Sequence, residues 1–255
     1  MKLFDVKELV LDLNQNYGEI FGQVTLQRCV SYYKNFHTTA ALEIKGVNVV
    51  NDLNTSIICG NKLLTTLRLV ENKIPTPHTL LSFRPQESLD ALENFGYPAI
   101  LKPTIGSWGK LMAILKDRES AESILEDREN MYPLYQVHYI QEKVKRPPRD
   151  IRSIVIGEDV IAAIYRTSLD TNWRTNTFRG AKSEKCPITK ELEDLCIRAS
   201  KAVGKGIFGV DLMETPDGLV VHEVNNTTEF KNTVPATGVD IPGSIIDYLV
   251  KSTSR

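Results

Sequence analysis

The 255 residues are 42% hydrophobic and 25% charged, with a formal net charge of −1. That is the composition of a globular chain long enough for two or three subdomains, and it supplies no global field to gather nucleic acid or an anionic membrane. Four cysteines, Cys29, Cys59, Cys186 and Cys196, form no C-x-x-C pair, which argues against a zinc site or disulfide framework and for a reducing, cytoplasmic setting. No apolar run nears the ~20 residues of a membrane span, and the start "MKLFDVKELVLDLNQ" is too acidic and interrupted to read as a signal peptide.

In chain order, "KLFDV" predicts a strand, and "GQVTLQRCVS" a second one running into a turn. "YYKNFHTTAALEIKG" has helical apolar spacing up to Gly46. "VNVVND" predicts a strand, and "LNTSIICGNKLLTTLRLVENK" one helix with an Asn or Thr cap. Two prolines in "IPTPHTLLSF" mark a boundary. Strands alternating with helices predict a parallel α/β subdomain over residues 1–75. Beyond it, "YPAILKPTIGSWGKLMAIL" predicts two strands around a glycine-bearing loop, and "DRESAESILEDRENM" a helix capped by Asp117. "LYQVHYIQEKV" predicts a strand that runs into the basic turn "KRPPRD". "DIRSIVIGEDVIAAIYRTS" and "GIFGVDLMETPDGLVVHEV" predict hairpins, turning at Gly157-Glu158-Asp159 and Pro216-Asp217-Gly218. "TKELEDLCIRASKAVG" predicts an amphipathic helix ended by Gly204, and "IPGSIIDYLVKSTSR" a closing helix. Two α+β pieces, residues 76–145 and 146–255, thus follow the α/β one.

Asp211 follows "GIFGV", and Glu223 and Asn225 end the partner strand of the same hairpin. Residues two apart on a strand share a face, so Glu223 and Asn225 converge, and antiparallel pairing brings Asp211 alongside. Two carboxylates and an amide oxygen are hard donors suited to Mg²⁺. A solvated strand end has the same spacing, and on spacing alone both readings stand. His222, by the same alternation, falls opposite Glu223 in a packing or surface role. Lys102 interrupts the apolar run "AILKP" and Lys62 lies in "CGNK". Each is a point charge for a phosphate or a snorkelling surface lysine. "GSWGK" has two glycines three apart, which lets backbone N–H groups approach an anion. It lacks the P-loop spacing and the dinucleotide fingerprint, and a plain hairpin turn looks the same. Arg149, Arg152, Arg166, Arg174 and Arg179 suit bidentate recognition of carboxylate or phosphate. An RNA-binding patch competes with that reading but lacks interleaved aromatics. No G-x-S-x-G or H-E-x-x-H motif offers a nucleophile or a zinc site.

Taken in order, "CGNK", "YPAILKPTIGSWGK", "YIQEKVKRPPRDIRSIVIG", "VIAAIYR", "TNTFRG", "GVDL" and "HEVN" resemble the ATP-grasp ligases over nearly the whole chain. "LKPTIGSWGKL", "AIYRTS" and "EVNNTTEFKNTVPATGVDIP" are most similar to the LysX group, the α-aminoadipate–LysW ligases of lysine biosynthesis. The resemblance implies an ATP-grasp fold, α/β and α+β, with a Rossmann-like N-terminal subdomain. It also implies ATP, two Mg²⁺ ions and an acyl-phosphate route, which needs positioning and charge rather than a covalent nucleophile. Lys62 and Lys102 would contact the phosphates beneath a flexible loop of Gly106, Ser107, Trp108, Gly109, Lys110, Leu111 and Met112. Glu142, Lys143 and Val144 would hold adenine, with Asp150 in the matching nucleotide segment. Asp211, Glu223 and Asn225 would hold the metal, and Asn176 would approach the phosphates. Arg166, Thr177 and Arg179 would lie near the amino acid and the transferring phosphoryl group.

The resemblance also implies that Glu229, Phe230, Lys231, Asn232 and Thr233 face the amino acid. Lys231 is then a candidate for its distal carboxylate, and Glu229 for its amine or a neighbouring arginine. In the sister ArgX group, the glutamate–LysW ligases, the residues after "EFK" resemble Gly-Phe. Here Asn232-Thr233 would leave room for the extra methylene of α-aminoadipate. One methylene is worth only ~1–3 kcal/mol, so glutamate–LysW ligation, or RimK-like addition of glutamate to a protein, are the alternatives. The implied partner is a small acidic LysW-type carrier, steered by Lys143, Lys145, Arg146 and Arg149, with a homodimer or homotetramer as the assembly. Nucleic acid and membrane are not expected partners. The family normally begins with a strand and helix before the segment matching "KLFDV", so a βα piece of about 25 residues is expected to be missing. Either the start is placed too late, or the subdomain is trimmed and leaves an exposed sheet edge.

Overall fold

The computed structural model describes residues 1–106, 109–168 and 182–253. Ser107, Trp108, Arg174, Asn176, Thr177 and Arg179 therefore lie outside the described residues. At the N-terminal end, a single turn α1 (Gly18–Phe21) precedes two short parallel strands, β1 (Thr25–Leu26) and β2 (Val49–Val50), joined through α2 (Tyr32–Glu43). The strand predicted over "KLFDV" does not form. The segment has no neighbouring strand to ladder with, and Phe4 instead lays its ring 4.7 Å from that of Phe21.

The helix predicted from "LNTSIICGNKLLTTLRLVENK" is two helices, α3 (Leu53–Gly60) and α4 (Lys62–Glu71). Asn61 breaks it: its backbone is extended (φ −126°, ψ 114°), and its side chain accepts hydrogen bonds from the Leu63 and Leu64 N–H groups. An amide that caps the next helix competes with the helix it interrupts. Asp52 caps α3 in the same way, accepting from Thr55 N. The break sets Lys62 at the first position of α4.

β3 (Thr79–Ser82), β4 (Ala99–Lys102), β5 (Ala113–Leu115) and β6 (His138–Glu142) form an antiparallel sheet in the order β3-β6-β4-β5. α5 (Pro85–Phe95) and α6 (Arg118–Glu129) pack on it through Leu89, Leu92, Ala121 and Leu125 against Leu101, Leu115 and Ile140. α5 has no counterpart among the predicted elements. Asp117 caps α6 in a reciprocal capping box with Ser120.

The third sheet is antiparallel in the order β11-β10-β7-β8-β9. Its strands are β7 (Arg149–Ile156), β8 (Asp159–Thr167), β9 (Lys182–Lys185), β10 (Ile207–Thr215) and β11 (Gly218–Asn225). Period-two alternation gives each face its own helix. Ile151, Val155, Phe208, Val210 and Leu212 meet Leu192, Leu195, Ala199 and Val203 of α7 (Lys190–Val203). Ile154, Ile156, Ala162 and Ile207 meet Ile241, Ile245 and Leu249 of α9 (Ile241–Ser252), which follows the short α8 (Thr233–Thr237). Each of the larger buried side chains is worth roughly 1.5–3 kcal/mol. The parity that gives α9 its apolar platform also puts Asp150, Arg152, Arg166, Gly209 and Asp211 on that same face, toward its other end. There the sheet meets the cavity instead of a helix. Among the described residues, no helix is long and apolar enough to cross a membrane.

Candidate active site

A cavity of about 1060 Å³ lies where the three sheets approach one another. Its floor is the β10–β11 hairpin, in which Asp211 stands opposite Glu223, and Gly209 opposite Asn225. The pairing shifts between Asp211 and Leu212, whose partners are Glu223 and Val221, so His222 is the extra residue of a β-bulge. The bulge re-aims the side chain, and His222 lines the cavity beside Glu223 rather than facing away from it. Strict alternation misplaces it for that reason.

Ligand atoms of Asp211, His222 and Glu223 lie within 4.8 Å of one another. Burial, helped by the Lys102 charge, takes the His222 imidazole down to about 4, so it is neutral near pH 7. Its Nδ1 is buried without a hydrogen-bond partner among the described residues. Two carboxylates, an imidazole and the nearby Asn225 amide make a donor set that fits a divalent cation.

Asp211 is only 2% exposed. Arg152 grips both its carboxylate oxygens, with Nη2 donating to Oδ2 at 2.7 Å. Arg166 Nη2 lies 3.2 Å from the same oxygen, while its Nε donates to Asp150 Oδ1 at 2.6 Å. Burial pushes the Asp211 carboxyl up, but Arg152 and Arg166 hold it well below the usual carboxylate range. Glu223 is lowered too: burial works against it, and Lys62, with Nζ at 3.4 Å, outweighs burial together with the neighbouring His222.

Lys62 Nζ also donates to the Gly106 carbonyl at 2.6 Å, while its backbone N–H donates to Thr104 O at 2.8 Å. The start of α4 is thus tied to the glycine loop. Lys102, at the end of β4 and 4% exposed, donates to Gln141 Oε1. Burial lowers its ammonium to about 8, with Glu223 pulling the other way. Of the loop residues described, Gly106, Gly109 and Met112 line the cavity, whereas Lys110 and Leu111 are exposed outside its wall. Glu142, Lys143, Val144 and Asp150 line it as well; Glu142 Oε1 accepts from His78 N at 2.8 Å. Arg149 is engaged on the sheet surface, bidentate to Glu214 at 2.7 and 2.8 Å and 3.9 Å from the centre of the Tyr165 ring.

The loop after β11 forms the far end. Glu229 Oε1 accepts from the Phe230 and Lys231 N–H groups at 2.9 and 2.8 Å, folding the carboxylate onto its own turn. Lys231, Asn232 and Thr233 line the cavity, with Thr233 buried at the start of α8. Gly209 permits this packing, because a Cβ there would collide with the Thr228 side chain. Sequence reasoning does not place Arg28, Ser31 and Asn35 in the cavity wall, yet all three line it. The available signal is their position just past the carboxyl end of parallel β1, where α/β sheets receive ligands.

Residues 59–249 match the model of the RimK-like ATP-grasp domain. The α-aminoadipate–LysW ligase LysX of Saccharolobus solfataricus is 37% identical over 243 residues, covering 94% of this chain and 88% of that protein. The glutamate–LysW ligase ArgX of Sulfurisphaera tokodaii is 31% identical over 255 residues, covering 99% and 90%. The RimK-domain ATP-grasp protein of Sphaerobacter thermophilus superimposes with a TM-score of 0.77 at 24% identity, covering 96% of this chain and 87% of that one. The chain belongs to the RimK-like ATP-grasp family of ATP-dependent carboxylate–amine ligases.

Proposed function

We propose that the protein joins the α-amine of α-aminoadipate to the C-terminal glutamate carboxylate of a LysW-type carrier, through an acyl phosphate, in lysine biosynthesis. The observation that carries this reading is the convergence of Asp211, Glu223, Lys62 and Lys102 on one cavity whose far wall is the loop Glu229–Thr233. Asp211, Glu223 and Asn225 would hold two Mg²⁺ ions, which when bound neutralise charge on the transferring phosphoryl group. Lys62 and Lys102 supply fixed positive charge to the phosphates, and Arg152 and Arg166 keep Asp211 ionised and oriented. The carrier carboxylate takes the γ-phosphoryl group as ADP leaves. The amine then attacks the acyl carbon, and phosphate departs with loss of a proton. Glutamate is the second reading, favoured by the ArgX relative's match over nearly all of this chain.

ADP release with purified carrier, measured against each amino acid, tests the proposal. The expected result is carrier-dependent turnover that favours α-aminoadipate. Replacing Asn232-Thr233 with Gly-Phe is expected to move the preference toward glutamate by roughly 10–200-fold. Glutamate preference in the unaltered protein would refute the role given to Asn232-Thr233, and turnover without carrier would refute the carrier.

Lys102 gives a prediction in proton stoichiometry. With burial lowering its ammonium to about 8, it is half deprotonated at that pH. A triphosphate beside it favours the charged form, so nucleotide binding at pH 8 takes up about half a proton and weakens as pH rises further. Calorimetry in two buffers of different ionisation heat reads this directly. Equal apparent enthalpies in both buffers would rule the lysine out as the phosphate contact, as would an uptake that persists in Lys102→Met.

A further inference from the structure

The amino-acid end of the cavity joins two parts of the chain that are far apart in sequence. Arg28, just past β1, donates from Nη1 to the Thr228 carbonyl at 2.9 Å, and its guanidinium carbon lies 5.1 Å from the centre of the Phe230 ring. Asn35 Nδ2 donates to Thr227 Oγ1 at 3.3 Å, and Asn226 Nδ2 to Ser56 Oγ at 3.0 Å. Thr228 is a shared node: Arg28 holds its carbonyl, while Arg152, which grips Asp211, reaches its hydroxyl at 3.4 Å. Arg28 is therefore linked to the carboxylate cluster through Thr228 and Arg152, and Lys231 lies three residues further along the loop.

An acidic amino acid brings two carboxylates into this cavity. Arg152 and Arg166 are committed to Asp211 and Asp150, and Lys62 and Lys102 stand at Glu223 and Gln141. Arg28 and Lys231 line the same space, and no carboxylate among the described residues lies within ion-pair distance of either. Glu229 accepts on Oε1 from its own turn, at more than ion-pair distance from Arg28, though near enough for its charge to act on that guanidinium against burial.

We propose that Arg28 binds the α-carboxylate of the incoming amino acid, its guanidinium plane set by the Thr228 carbonyl and the Phe230 ring, which leaves Lys231 for the distal carboxylate. This rests on the reading of the protein as an acidic-amino-acid ligase. The α-carboxylate shares a carbon with the attacking amine, and the amine must reach an acyl phosphate beside Asp211 and Glu223. Of the two cations, Arg28 is the one tied to that cluster by hydrogen bonds, through Thr228 and Arg152. A guanidinium engages both oxygens of a carboxylate at once, so it turns the amine as well as holding the substrate.

The test compares the unaltered protein, Arg28→Ala and Arg28→Lys on three amines: α-aminoadipate, δ-aminovalerate (no α-carboxylate) and norvaline (no distal carboxylate). Arg28→Ala is expected to raise KM for α-aminoadipate and for norvaline by roughly 10–100-fold, with Arg28→Lys recovering part of it. KM for ATP should stay within about twofold, as for a residue outside the nucleotide site. With δ-aminovalerate the substitution should add almost nothing, since the partner is already gone. An equal penalty on δ-aminovalerate would overturn the proposal in favour of a structural role, and a penalty spared only on norvaline would move Arg28 to the distal carboxylate. Calorimetric binding of the amino acid to the protein loaded with ADP and Mg²⁺ reads the same contrasts without turnover. Failure of ADP release with every carrier would then sink the reaction alone, whereas amino-acid binding that is absent, or indifferent to Arg28→Ala, would sink Arg28.

Discussion

Arg166→Met is expected to destabilise the fold by about 3–5 kcal/mol. Methionine fills much of the volume, but it strips a cation from Asp150 and Asp211, which are 4% and 2% exposed. Breaking a buried pair costs more than the pair contributes, because a buried charge loses compensation that water cannot replace. Asp211 keeps Arg152, and Asp150 keeps the nearby charge of Arg146, so the cost lies toward the lower end of that range. The pH dependence identifies the cause. Asp211 has its folded pKa depressed, so its contribution is complete above the unfolded value of about 4 and is lost as pH falls toward the folded one. The difference between unaltered and Arg166→Met protein should therefore be largest at neutral pH and shrink below about pH 4. Urea unfolding at pH 7 and pH 3.5 measures both. A gap that does not narrow in acid would mean that lost packing, not charge, dominates. Adding Asp150→Leu should restore part of the stability at neutral pH, since an apolar pair can replace an ionic one.

Glu223→Gln is expected to have the opposite profile. Its ion pair with Lys62 is loose, 3.4 Å at a part-exposed position, so stability should move by less than about 1 kcal/mol. Catalysis should suffer, because Glu223 supplies an anionic oxygen at the point where Asp211 and His222 converge. We expect ADP release to fall roughly 10²–10³-fold, accompanied by weaker Mn²⁺ binding in a titration followed by electron paramagnetic resonance. Retention of more than a tenth of the turnover, or unchanged Mn²⁺ affinity, would remove Glu223 from the metal site.

What could be read from the sequence followed local periodicity. The two hairpins around Gly157 and Pro216, the Asp117 cap and the α7 pattern ending at Gly204 are signals contained within about ten residues, and the structure has each of them. The convergence of Asp211 on Glu223 was also legible, since it needs only antiparallel pairing across one tight turn. Features set by distant parts were not. "KLFDV" has strand composition but no strand beside it. Asn61 splits a continuous apolar pattern through a cap that propensity alone does not reveal. The wall formed by Arg28, Ser31 and Asn35 depends on contacts across about two hundred residues, such as Arg28 to Thr228, which no window on the sequence can contain.

The unpaired residue in β11 lets one strand keep two phases. Before His222, Leu219 and Val221 point toward α7; after it, Val224 does, and Glu223 and Asn225 take the cavity side. The alternation before His222 and the one after it are therefore offset by one residue along a single eight-residue segment. Repacking of Leu219 and Val221 under the helix need not rotate the carboxylate out of place, whereas Val224 between Glu223 and Asn225 ties the site to the same core. A hairpin moved into another scaffold would carry its chemistry with it only if the surplus residue travelled too.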